Sequence, residues 1–97
     1  MAHGSLTAQI SELSVPSLDA KTIYIRLQLL HTPWQWFVAE AERQEDDTLF
    51  FGYASALPGQ SEWCYFNLSE LKDAGTLVYD CEFSPMPFSE VKQKYNL

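Results

Sequence analysis

Between Thr22 and Leu30 the apolar residues Ile23, Ile25, Leu27 and Leu29 alternate with Tyr24, Arg26 and Gln28, the period-two pattern of a strand with one buried face. His31-Thr32-Pro33 reads as a turn, because proline has no ladder donor and a preset φ. A second strand is predicted from Trp34 to about Arg43, with Trp34, Trp36 and Val38 on one face and Phe37, Ala39 and Ala41 on the other. Glu45-Asp46-Asp47 supplies a hairpin loop, and Thr48 to Ala56 reads as the third strand, with Gly52 as a bulge or close-approach point. Leu57-Pro58-Gly59-Gln60 has the residues of a type II turn, and Glu62 to Phe66 follows as the fourth strand. Asn67 and Glu70 have the spacing of a capping pair, which starts a short helix over Leu68 to Ala74 that Gly75 stops. Leu77 to Phe83 reads as a fifth strand, and Pro87 opens a last helix in which Phe88, Val91 and Tyr95 share a face. Ahead of all these, Leu6, Ile10 and Leu13 recur at helical spacing before Pro16. Met1 to Ser5 have no periodicity and read as a vector-derived or disordered tail.

Hairpin-length links between the first four strands require antiparallel pairing, since a parallel crossover needs a dozen or more residues. The prediction is an α+β fold: an antiparallel sheet of four to five strands with short helices packed on one face, in a single domain over residues 6–97.

Composition narrows the chemistry. The chain has 97 residues, 46% hydrophobic and 14% aromatic, enough burial for one folded domain and too few residues for a second core. Thirteen Asp+Glu against six Lys+Arg give a net charge of -7, which argues against direct binding to a nucleic-acid backbone. No run approaches the roughly 18 apolar residues of a spanning helix, and no export leader is recognisable, so the expectation is a cytoplasmic protein off the membrane. The two cysteines, Cys64 and Cys81, fall on neighbouring predicted strands and are expected to be buried and reduced; with His3 in the tail and His31 in a turn, no metal set forms. No serine or histidine context suggests a triad and no glycine-rich loop a phosphate cradle, so neither catalytic residues nor a cofactor are expected.

Two features remain. Glu40 to Asp47 holds five carboxylates around Arg43 and reads as a solvated hairpin tip, with Glu40 and Glu42 projecting from one face. Trp34, Trp36, Tyr53, Trp63 and Tyr65, with Phe50, exceed what one small core readily uses, and exposed aromatic rings commonly mark a partner surface.

Three segments carry a family resemblance: Trp34 to Glu42, Thr48 to Tyr53, and Tyr65-Phe66-Asn67-Leu68-Ser69-Glu70-Leu71. Together with Tyr79-Asp80-Cys81-Glu82-Phe83-Ser84-Pro85 and Pro87 to Val91, this order resembles the uncharacterised bacterial domain family DUF2958 across about two thirds of the chain. Tyr79 stands where that family usually has Arg, and Cys64 where it usually has Gly. The resemblance implies a small single domain often carried on mobile elements, and implies no reaction.

The functional expectation is a non-enzymatic protein–protein interaction module using the aromatic face and an acidic rim, with an unidentified protein partner. The alternative is a small-molecule-binding or hydrolytic domain whose pocket is lined by Trp36, Tyr53 and Tyr65 with Glu40 or Glu42 as its polar group. Aromatic area left over on a small sheet further predicts a two-fold homodimer with Trp or Tyr residues in its interface.

Overall fold

The structure, a computed structural model, describes residues 18–56 and 61–97; the expected tail, the Leu6–Leu13 helix and the Leu57–Gln60 turn lie outside the described residues. A helical turn at residues 18–20 leads into β1 (Thr22–Ile23), β2 (Ile25–Leu29), β3 (Gln35–Gln44), β4 (Asp47–Ser55) and β5 (Ser61–Asn67). Helix α1 (Leu68–Ala74), β6 (Leu77–Tyr79), β7 (Met86–Pro87) and helix α2 (Phe88–Tyr95) complete the chain. Strands β5-β4-β3-β2-β6 form one antiparallel sheet in that order, and β1 pairs with β7 in a two-stranded one. The fold is α+β, as its alternation and short links predict.

The strand read as continuous from Thr22 to Leu30 is two strands. Tyr24 interrupts it, donating its backbone N–H to the Val38 carbonyl at 2.9 Å, and Ile23 leaves the row of Ile25, Leu27 and Leu29. Ile23 is fully buried with Phe37, Ala39, Phe83, Phe88 and Val91, whereas Leu27 and Leu29 pack with Trp36, Val38, Phe50, Ala54, Phe66 and Leu71. These two clusters lie on opposite sides of the sheet, called below the Phe37 face and the Trp36 face. The helices do not share one face: α1 contributes Leu71 to the Trp36 face, and α2 contributes Phe88 and Val91 to the Phe37 face.

A bulge in β3 changes the expected alternation. Val38 opposes Gly52 but Glu40 opposes Phe51, so Ala39 is the extra residue. Ala41, expected beside Phe37 and Ala39, instead opposes Phe50 and belongs with the Trp36 side. Gly52 supplies the close approach: a Cβ there would lie 2.2 Å from the Phe37 carbonyl oxygen and 2.9 Å from the Val38 Cα. Beyond the bulge, β3 runs exposed from Glu40 to Gln44 and turns through Glu45-Asp46.

Two polar devices fix the ends of the sheet. The Asn67 N–H donates to Glu70 Oε1 at 2.9 Å within the expected Asn67–Glu70 capping box. Asp47 Oδ1 accepts the Ser69 N–H at 3.0 Å, so the start of β4 serves another first-turn donor of α1. At the far side, Arg26 on β2 donates to Asp80 Oδ2 at 2.9 Å and its guanidinium carbon lies 4.5 Å from the Tyr95 ring centroid, tying β2 to the turn after β6 and to α2. Asp80 thus takes its guanidinium partner from Arg26, 54 residues earlier in the chain.

Candidate functional site

The larger opening is on the Trp36 face. A helix about 10 to 12 Å across covers about two strands spaced some 4.8 Å apart, so among the described residues α1 leaves part of this face open. The result is a groove of about 700 Å³ whose floor includes Leu29, Trp36, Ala54 and Phe66 and whose wall includes Leu71 and Ala74. Trp34, at the mouth, stacks on Trp36 with ring centroids 5.9 Å apart and planes 13° from parallel, and stays 38% exposed. The turn that presents it is ordered locally: Thr32 Oγ1 donates to the Leu29 carbonyl at 2.8 Å and accepts the Trp34 N–H at 3.1 Å, while His31 adopts a left-handed φ of 66°. Glu62 from β5 and Glu70 from α1 are exposed acids at the rim.

The groove lining is mainly apolar with carboxylates at its edge; its nucleophile candidates are Cys64 and Ser61, whose hydroxyl donates to Ser55 Oγ at 3.3 Å. Burial, and secondarily the charge of Glu62, push the Cys64 thiol above its usual range, which keeps it protonated and poorly nucleophilic near neutral pH. Cys64 is half-buried on β5 and Cys81 exposed in the turn after β6, so the cysteines lie towards opposite edges of the sheet, and the expected pair of buried thiols does not form. Among the described residues no cluster of three or more His, Cys, Asp or Glu could hold a metal ion, and no helix is long and apolar enough to cross a membrane.

The seven candidate residues divide among three places. Trp34 and Trp36 belong to the groove, and Tyr65 reaches its β5 edge. Tyr53 and Trp63 lie on the Phe37 face, in contact with each other and with Phe88 at centroid distances of 4.8 to 5.7 Å, and help close that core. Tyr65 is 68% exposed, lies 4.9 Å from Phe51, and shares a shallow depression of about 330 Å³ with Glu40 and Glu42. Glu40 is paired there with Lys21. Of the expected pocket residues, Trp36 and Tyr65 both line the groove, whereas Tyr53 points to the other side of the sheet and packs with the Phe37 cluster. The rim acids are Glu62 and Glu70, which sequence reasoning did not select; Glu62 was legible from its alternation with Trp63 beside Cys64, whereas Glu70 was accounted for as a cap.

Compared with family models, curated proteins and solved structures, the chain matches none.

Proposed function

We propose that this chain is a non-enzymatic interaction module that works in the cytoplasm and holds a basic, apolar-anchored segment of another protein in the Trp34–Trp36 groove. The exposed, pre-stacked Trp34 above an apolar floor carries the reading. A large ring already held in place loses little entropy on binding and offers much area to an apolar anchor. Glu62 and Glu70 at the rim, within a chain of net charge -7, favour a basic partner over a nucleic-acid backbone. The raised thiol pKa of Cys64 supports binding over catalysis. The resemblance to DUF2958 adds the reading of an accessory carried on bacterial mobile elements.

The test is capture of partners from bacterial lysate by immobilised wild-type chain and by Trp34→Ala and Glu62→Lys. A partner held by the wild type, released by raising salt and lost from both variants is the expected result. Partners captured equally by all three would remove the groove from the reading. The groove volume also suits a small ligand. A compound library that stabilises the wild type but not Trp34→Ala against heat, with no protein captured, would favour that second reading.

A further inference from the structure

The two edges of the five-stranded sheet are built differently. One edge, β6, is three residues long, which is one of the ordinary ways to blunt unpaired N–H and C=O groups. The other, β5, runs for seven residues in unbroken register with β4, and among the described residues no strand pairs with its outer side. Its sequence, Ser61-Glu62-Trp63-Cys64-Tyr65-Phe66-Asn67, contains no proline, lysine or bulge. Tyr65 in its middle is 68% exposed.

We propose that β5 is a self-association edge: two copies pair their β5 strands antiparallel about a two-fold axis between their Cys64 residues, joining two five-stranded sheets into one of ten. The occupant follows from the strand's own symmetry. Centred on Cys64, the register sets Trp63 opposite Tyr65 twice, two aromatic cross-strand pairs that continue the Phe51–Trp63 and Phe51–Tyr65 row of one copy into the other. The same register places Glu62 opposite Phe66. The two Glu62 carboxylates then stand four residues apart along the strands, about 13 Å, beyond the roughly 8 Å screening length of physiological salt. Two chains of charge -7 repel at long range, so this dimer tightens as salt rises, opposite to the groove's expected response to a basic partner. The inference rests on the β5 edge; because Glu62, Cys64 and Tyr65 also line the groove, the second copy would border it.

Facing residues of antiparallel strands have Cα atoms about 4.5 to 5.5 Å apart, inside the range a disulfide spans. The full chain carrying Cys81→Ser therefore tests the register by copper(II)–phenanthroline oxidation, in which two Cys64 thiols lose two protons and two electrons to form one disulfide. Expected are a covalent dimer through Cys64, and none from Glu62→Cys placed in a Cys64→Ser, Cys81→Ser background. Sedimentation equilibrium of the uncrosslinked chain should show mass above the 11.1 kDa protomer by tens of micromolar. Tyr65→Lys, at an exposed ring that the fold does not need, should weaken dimerisation at least tenfold with unchanged near-ultraviolet circular dichroism. A protomer mass up to several hundred micromolar would overturn the proposal, as would a dimer that neither crosslinks through Cys64 nor responds to Tyr65→Lys.

Discussion

The two faces of the sheet use similar side chains to different ends. On the Phe37 face, Ile23, Phe37 and Val91 are fully buried under α2, the β1–β7 pair and the turn carrying Phe83, with Arg26 and Tyr95 closing one side. On the Trp36 face the core residues are 2 to 7% exposed, within the 0 to 9% spanned by the Phe37 cluster; what differs is that the sheet beyond α1, a seven-residue helix, forms the groove. The difference lies in cover rather than in residue type: among the described residues the Phe37 face has three pieces of chain over it and the Trp36 face one. Among the described residues the less covered face is the one that carries the groove with Trp34 exposed at its mouth.

Large-to-small substitutions should expose that asymmetry most strongly. Phe37→Ala removes a ring whose neighbours approach from every side, and should cost about 3 to 5 kcal/mol, a large share of what a small domain has. Leu71→Ala, on the wall of the groove, should cost about 2 kcal/mol, since the face beside it is already open to water. Urea denaturation of both variants measures the contrast. Equal losses would mean that the groove face is packed as completely as the other.

A smaller effect is expected at the seam where the two faces meet. Gly52→Ala would place a methyl group against the Phe37 carbonyl and the Val38 Cα, both backbone atoms that no rotamer change can move aside. Overpacking of this kind costs about 1 to 3 kcal/mol, and relief requires the Ala39 bulge to shift. Urea denaturation should show the loss, and faster amide exchange at Phe37 and Val38 than in the wild type should locate it. A Gly52→Ala variant as stable as wild type would show that the bulge is soft.

These features also mark where sequence reasoning succeeded and where it stopped. Alternation located the main strands, and the spacing of Phe88, Val91 and Tyr95 identified the face α2 buries, because local periodicity is itself the cause of those elements. The break at Tyr24 had no local signal: Ile23, Ile25, Leu27 and Leu29 continue one row, and only pairing of β1 with β7, more than sixty residues away, diverts Ile23 to the other cluster. Gly52 was legible as a bulge or close approach, but the inserted residue sits on the partner strand, so the altered side of Ala41 was not. The groove was half legible. Its tryptophans stand out in the sequence, whereas its separation from Tyr53 and Trp63 depends on how two helices are shared between two faces.

The smallest expected effect concerns charge, at the polar tie that closes the Phe37 face. The hydrogen bond from Arg26 holds the Asp80 carboxyl below its ordinary value, with the Glu82 N–H adding to it against a counteracting burial penalty. A carboxylate with a lower pKa folded than unfolded binds fewer protons in the native state, so its contribution is complete above the unfolded value of about 3.9 and is lost as pH falls through the lower folded value. Asp47, lowered first by the Ser69 hydroxyl and then by the Thr48 N–H, adds an acid-sensitive contribution of the same sign at the start of α1 on the other face. Melting temperature should therefore stay nearly level from pH 7 to about 5 and fall below about 4. Asp80→Asn should lower it at pH 7 and shrink the acid-induced fall, leaving the part due to Asp47. An Asp80→Asn curve parallel to wild type across the whole range would mean that the Arg26–Asp80 contact, 2.9 Å long and largely shielded from solvent, does not distinguish the folded from the unfolded carboxylate.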